Sequence, residues 1–323
     1  MSKENKMQAV ILAAGLGSRL KDKTKEMPKG FIEIDGLAIV ERSIKKLIEH
    51  GIAEIIIGTG HCSNYYDALA KKYPNITTVF NADFANTSSM ATLNLCASFI
   101  KGNFLLLESD LIYDDIGLFV LINDKRNDVV LLSSKTNSGD EVYVEADEKF
   151  KLLNVSKDIN KVKPYGELVG ISKLTPEALE AMRRYFSQGK NPHMDYETAM
   201  AQVSSLGGHD IFVEKIENYC WCEIDDENHL ERAKKEIAPK ILNGERLRKV
   251  KREILLNPGP ATTTDSVKYA QVCADICPRE KEFGDVLAQT ALELSKMGGD
   301  SDQTETVLLG GSGTAADEAM ISS

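Results

Sequence analysis

The run Leu12-Ala13-Ala14-Gly15-Leu16-Gly17-Ser18-Arg19, carried on to Pro28-Lys29-Gly30, constrains this chain more than any other stretch. Ala9-Val10-Ile11-Leu12 is an apolar run that reads as a buried strand. Small residues and two glycines follow it, where a backbone can turn sharply and bring its N–H groups close to a ligand. Arg19 and Lys29 then supply two fixed cations. Free N–H groups that wrap a phosphate, with cations that neutralise the remaining charge, make a cradle for a polyphosphate at the end of a first strand. Gly15-x-Gly17 with Asp35 about 20 residues on also imitates a dinucleotide-binding fingerprint. Position 20 is Leu where the third glycine would stand, however, and a redox cofactor needs no such pair of cations.

Buried-strand and helix patterns alternate after the loop. A helix is predicted over 38–50, strands over 53–58, 75–80 and 104–107, and helices over 65–73 and 90–99. This alternation predicts an α/β fold with a doubly wound, mostly parallel, Rossmann-like sheet. Ligands of such sheets gather at the carboxyl ends of the strands, where the glycine loop and Asp110 both fall. From Asp128 the runs shorten and a smaller antiparallel region is expected. The stretch 219–226 reads as a strand ending in Asp225-Asp226, followed by a charged helix. Residues 1–240 are expected to form one domain and 241–253 a linker helix. Residues 254–323 follow a different grammar, with a helix over 283–297, a strand over Thr306-Val307-Leu308-Leu309 and a glycine-rich turn. About 70 residues of that composition are a poor candidate for an autonomous domain.

Composition narrows the partners. With 323 residues, 42% of them hydrophobic, the chain can bury a substantial core, and its net charge of −10 argues against nucleic acid. No apolar run approaches the ~18 residues of a membrane span, and no signal peptide precedes the first strand. Cys62, Cys96, Cys220, Cys222, Cys273 and Cys277 show neither metal spacing nor disulfide density, which predicts reduced thiols in a cytoplasmic protein. A homo-oligomer is left open.

The first motif, Leu12-Ala13-Ala14-Gly15-x-Gly17-x-Arg19 with Pro28-Lys29, strongly resembles the signature of nucleotidyltransferases acting on sugar phosphates and related acceptors. Ile32-Glu33-Ile34-Asp35-Gly36, Val40-Glu41-Arg42 and Ile55-Ile56-Ile57-Gly58-Thr59-Gly60-His61 extend the likeness. Within that superfamily the chain is most similar to CTP:phosphocholine cytidylyltransferases, through Asn86-Thr87-Ser88-Ser89-Met90, Gly170-Ile171-Ser172, Asp195-Tyr196-Glu197 and Glu223-Ile224-Asp225. The resemblance covers about residues 7 to 240. It implies CTP and Mg²⁺, with Asp110 and Asp225 as metal ligands, Asp226 being the alternative to Asp225. Both Asp110 and Asp225 sit just past predicted buried strands, and Mg²⁺ needs one or two carboxylates plus phosphate oxygens. Arg19 would hold the departing pyrophosphate and Lys29 the α-phosphate. Leu12, Ala13, Ala14, Gly15 and Gly17 would line the nucleotide, and Gly60, Ser88 and Ser89 would read the base. Asp195, Tyr196 and Glu197 are the candidates for a cationic acceptor, with Lys163 for its anionic end.

The tail carries a second resemblance. Leu255-Leu256-Asn257-Pro258-Gly259-Pro260 with Thr262-Thr263-Thr264, and Gly311-Ser312-Gly313-Thr314-Ala315-Ala316 with Glu318-Ala319, are similar to the opening of class V aminotransferases, the 2-aminoethylphosphonate transaminases in particular. Only a truncated N-terminal piece is matched, ahead of the Schiff-base lysine, so no functional pyridoxal phosphate is expected in this chain. A multifunctional fusion of the two activities implies that the acceptor is 2-aminoethylphosphonate, a small zwitterionic phosphonate, activated for tailoring of lipids or glycans. Phosphocholine or phosphoethanolamine is the alternative acceptor. Two readings from other classes are a nicotinamide-dependent dehydrogenase, disfavoured by Leu20, Arg19 and Lys29, and a silent nucleotide-binding module, disfavoured by the joint presence of Arg19, Lys29, Asp110 and Asp225.

Overall fold

In this computed structural model, described residues are 7–136, 138–139 and 141–248, together with 267, 270, 272, 276–298, 305–308, 310 and 313–322. The first strand, β1 (Gln8–Ala13), is buried along its whole length. Such an unbroken apolar run is what a strand covered on both faces requires. After the glycine loop come a short hairpin, β2 (Glu33–Ile34) and β3 (Leu37–Ala38), and helix α1 (Ile39–Glu49). α1 buries Ile39, Val40, Ser43, Ile44 and Leu47, one stripe at helical spacing. The chain continues through β4 (Glu54–Thr59), α2 (Ser63–Lys72), β5 (Ile76–Phe80), α3 (Ser89–Cys96) and β6 (Phe104–Glu108). β1 pairs in parallel with β4 and β6, and β4 with β5. The expected doubly wound core is therefore present.

Alternation along β1 divides the core between the two faces of the sheet. Val10 and Leu12 pack with Ile56, Met90, Leu93 and Leu106 on one side, while Ala9 and Ile11 pack with Ile44, Leu47, Ile57 and Leu107 on the other. Each large side chain fully buried this way contributes about 1.5–3 kcal/mol.

Periodicity predicts no element over 111–123, yet the structure places β7 (Leu111–Tyr113) and α4 (Ile116–Asn123) there. β7 is too short to show a period, and α4 is apolar on nearly every side, so neither has an amphipathic signature. The later part contributes β8 (Val129–Ser133), β9 (Tyr143–Ala146), β10 (Leu152–Ser156) and β11 (Gly166–Leu174). Helices α5 (Pro176–Gly189) and α6 (Tyr196–Ser205) follow, then β12 (Phe212–Ile216) and β13 (Trp221–Glu223). The main sheet runs β10-β9-β11-β6-β1-β4-β5, with β8 lying between β11 and β12. β11 is antiparallel to β6, β8 and β9, and β9 to β10, which gives the antiparallel region. β13 pairs with β7 in a separate two-stranded sheet.

α7 (Glu227–Arg232) passes through a π-helical turn at 233–237 into α8 (Ala238–Arg248). Ile241 of α8 is buried, and its Glu245 pairs with Lys46 of α1 at 2.6 Å. Residues 1–249 form one compact unit and 250–323 a second. In the second unit α9 (Lys281–Met297) buries only Ser295 among its described residues, while Val286, Leu287, Leu292, Leu294 and Met297 are exposed. α10 (Gly313–Ser322) closes it. The strand expected over 306–309 is not formed at the described residues 305–308, where no ladder partner lies alongside to satisfy its backbone. Leu309, the Asn257-Pro258-Gly259-Pro260 motif with Thr262–Thr264, and Gly311-Ser312 lie outside the described residues. No described helix is long and apolar enough to cross a membrane. The cysteines at 62, 96, 220, 222 and 277 are free thiols.

Candidate active site

The glycine loop leaves β1 and folds back against Lys29. Gly17 has φ +64°, and a Cβ there would stand 2.8 Å from Lys29 Cγ, so glycine is required both for the turn and for the close approach. Lys29 Nζ donates to Asp110 Oδ2 at 2.9 Å and to Asp225 Oδ1. Arg19 Nη2 meets the other oxygen of Asp225 at 2.6 Å. Burial alone would lower the Lys29 pKa, but Asp110 and Asp225 more than offset it and hold the ammonium well above its ordinary value. The two aspartates are delivered by different strands. Asp110 follows β6, Asp225 follows β13, and the Ile224 N–H donates to the Asp110 carbonyl at 3.1 Å, which ties the two strand ends together. Asp226 is turned away, and its carboxylate caps α7 by accepting from the His229 N–H at 2.9 Å.

A cavity of about 410 Å³ opens over this cluster. Leu12, Ala13, Ala14, Gly15, Gly17, Arg19, Lys29 and Asp110 line it, as do Ser88, Ser89, Asp195, Phe84 and Thr92. Gly60 does not line it. It packs behind, where a Cβ would meet Phe84 at 2.6 Å and the Ala14 carbonyl at 2.7 Å. Ser89 joins α3 to α6, since its Oγ accepts from the Tyr196 N–H at 3.0 Å. Its wall combines backbone and cations, which suit a triphosphate, with hydroxyls and a phenyl ring, which suit a nucleobase.

A second, smaller cavity of about 90 Å³ adjoins the first, with Glu108 in the wall of both. Glu141, Glu197, Glu223 and Trp221 line it, together with Lys157 and Arg232. Among the described residues Glu197 and Glu223 have no ion-pair partner. Burial, then the nearby charges of Asp110 and Glu197, push the Glu108 carboxyl up to about 8. Burial and the charge of Asp195 push Glu197 up to about 7, and Glu223 is raised well above the carboxylate range by burial beside Glu108, Asp110 and Asp225. Tyr196 is buried outside both cavities and donates its phenolic O–H to Glu108 Oε1 at 2.6 Å. Gly170, at φ +81°, backs Glu108, whose carboxyl carbon would lie 3.2 Å from a Cβ. Lys163 is exposed and lines neither cavity.

Sequence reasoning assigns Glu108 and Glu223 no role, although Glu223 stands in one of the motifs and a signal exists for both. Each stands two residues before an aspartate at a strand end, Glu108-Ser109-Asp110 and Glu223-Ile224-Asp225, and side chains two apart on a strand share a face. Lys157, Arg232 and Trp221 had no such signal, because long-range packing brings them in.

Carboxylate oxygens of Glu108, Asp110 and Glu223 lie within 4.8 Å of one another. Hard oxygen donors so clustered fit Mg²⁺ in chemistry and number, and Lys29 pairs with one of them, Asp110, as well as with Asp225.

Residues 9–153 match the family model of the MobA-like NTP transferase domain. The choline-phosphate cytidylyltransferase of Streptococcus pneumoniae is 32% identical over 123 residues, 38% of this chain and 50% of that protein. The 2-aminoethylphosphonate cytidylyltransferase of Lancefieldella rimae is 26% identical over 157 residues, 48% of this chain and 63% of that protein. The chain thus spans between 50 and 63% of the length of these relatives. In fold, it resembles the solved CTP:phosphocholine cytidylyltransferase of Streptococcus pneumoniae with a TM-score of 0.61 at 22% identity, over 71% of this chain and 98% of that one. Residues 9–153, which hold the glycine loop and the parallel strands β1, β4, β5 and β6, thus match an NTP transferase domain, with homology to cytidylyltransferases.

Proposed function

We propose that the chain transfers CMP from CTP to 2-aminoethylphosphonate and releases pyrophosphate. A phosphonate oxygen of the acceptor attacks the α-phosphorus, the bond from that phosphorus to the α,β-bridging oxygen breaks, and its electron pair leaves with pyrophosphate. The nucleophile is already ionised, so no general base is needed. Lys29 meets the charge that builds on the α-phosphate, and Arg19 holds the departing pyrophosphate. Both cations are held by carboxylates in the free protein, so triphosphate binding exchanges carboxylate partners for phosphate ones. Asp110 and Asp225 would hold Mg²⁺, which when bound supplies electrostatic stabilisation of the phosphates. The nucleotide lies along Leu12 to Gly17, with its base toward Ser88 and Ser89.

The observation that carries the acceptor is the small acidic cavity sharing Glu108 with the larger one. Half-buried carboxyls without ion-pair partners attract a cation, and a primary ammonium brings three N–H donors for their oxygens. A trimethylammonium brings none, which favours aminoethylphosphonate over phosphocholine. Lys157 and Arg232 lie in the same cavity wall to receive the anionic end. Trp221 in the same wall leaves phosphocholine as the alternative, since a ring face attracts any ammonium, methylated or not. Pyrophosphate release from CTP with Mg²⁺ should be measured against 2-aminoethylphosphonate, phosphocholine and phosphoethanolamine. The first should give the highest kcat/KM, and a phosphonate rate no better than that with phosphocholine overturns the acceptor assignment.

A further inference from the structure

Asn81 lies at the end of β5, 3% exposed, and touches neither cavity. Its side-chain oxygen accepts from the Asp83 N–H at 3.0 Å. A backbone N–H can only donate, so this bond settles which end of the amide is oxygen and which is nitrogen. The nitrogen then has two hydrogens, and both are given to threonines: Thr87 Oγ1 at 3.0 Å and Thr92 Oγ1 at 3.0 Å.

That arrangement fixes the polarity of two hydroxyls. An oxygen that accepts from Asn81 can use its own proton only elsewhere. Thr87 does so visibly, donating to the Asp83 carbonyl at 2.9 Å. Thr92, 2% exposed, has no protein acceptor for its proton among the described residues, and it lines the larger cavity. It stands one helical turn after Ser88 and Ser89, which line the same cavity with Phe84, and hydroxyls with a ring suit a base better than phosphates. An N–H donor behind the hydroxyl therefore makes Thr92 a donor toward the ligand. Cytosine presents a ring nitrogen, N3, that accepts, whereas uracil carries a hydrogen at the same position.

We propose that Asn81 is a positioning residue for nucleotide choice: by occupying the Thr92 oxygen it commits the Thr92 hydroxyl to donate, and so selects a pyrimidine whose ring nitrogen accepts over one whose ring nitrogen donates. This rests on the proposed use of CTP and deepens it.

The test compares kcat/KM for CTP and for UTP, with the acceptor found to be best for the wild type. Thr92→Val keeps the shape and removes the donor. Asn81→Asp keeps the shape and offers acceptor oxygens, to which the Thr92 proton turns. Each should lower the CTP:UTP ratio by about tenfold, the scale of one lost hydrogen bond, through KM with kcat at saturating CTP little changed. Thr92→Ser, which retains the hydroxyl, should restore the ratio. A ratio unchanged in Thr92→Val overturns the inference while leaving the cytidylyltransferase reading intact. No pyrophosphate release from CTP by the wild type, with any acceptor, overturns both. Should Asn81→Asp fail to fold, as its melting curve would show, the Thr92 pair decides.

Discussion

The two adjoining cavities solve opposite electrostatic problems with many of the same residue types. In the larger one, Asp110 and Asp225 are tied to Lys29, and Asp225 also to Arg19, so charge is balanced before any ligand arrives. In the smaller one, Glu197 and Glu223 are screened from water without an ion-pair partner among the described residues, and Glu108 has only the Tyr196 hydroxyl. A balanced cluster is stable when empty and exchanges partners on binding. An unbalanced one carries a desolvation penalty that a bound cation relieves. The difference would let one domain hold the proposed polyanion and cation a single side chain apart.

The comparison breaks most readily at Lys29. Lys29→Ala removes the cation shared by both aspartates and the charge proposed to meet the α-phosphate, and should lower kcat by about a thousandfold. Steady-state pyrophosphate release checks this, and a loss below tenfold would remove Lys29 from the transition state. A control lies at the Lys46–Glu245 pair, which is equally buried but lines neither cavity. Glu245→Ala strands the Lys46 ammonium and should cost about 3 kcal/mol of stability in urea unfolding, with kcat unchanged at a temperature where the variant is folded. Glu223→Gln keeps the shape of the small cavity and removes a carboxyl that a bound ammonium would hold ionised. Acceptor KM should rise on the order of tenfold while CTP KM stays put, because a charge-assisted hydrogen bond is lost on one side only. A matching rise in CTP KM would mean that the cavities are not separate sites.

The smallest effect expected is pH-dependent and concerns Glu197. Its carboxyl is raised from 4.5 to about 7 by burial and by Asp195, against the opposing charge of Lys157. The folded state therefore favours the protonated form: the stabilisation linked to this group is complete below pH 4.5 and is lost as pH rises through about 7. Ammonium binding needs the ionised form, so acceptor KM should fall about threefold from roughly pH 6.5 to 7.5. Saturating acceptor should flatten the accompanying decline in melting temperature. An acceptor KM flat over that range in wild type, or a pH dependence identical in wild type and Glu197→Gln, would detach Glu197 from the acceptor.

Legibility in the sequence followed the range of the interactions. β1, α1, β4 and β6 are readable because burial on both faces or along one stripe leaves a local period. β7 and α4 have none, one being too short and the other apolar nearly all round. The same rule governs the candidate site. The glycine loop, Arg19 and Lys29 announce themselves as a motif, while Trp221, Lys157 and Arg232 meet only after β13 has paired with β7 and α7 has turned back.

From the chain alone, then, came the cradle at the end of β1, the alternation that makes a parallel sheet, and two aspartates at strand ends. These follow from local sterics, from hydrophobic periodicity and from the rule that ligands gather at the carboxyl edge. Only the tertiary structure decided that Asp225 faces Lys29 while Asp226 caps a helix, since adjacent residues differ in which way the chain happens to be turning. It also decided that Glu108 stands between two cavities, and that Lys29 meets a carboxylate 196 residues away. Local patterns state which face a side chain occupies. What lies opposite that face is set by long-range packing, and at this site the chemistry depends on what lies opposite.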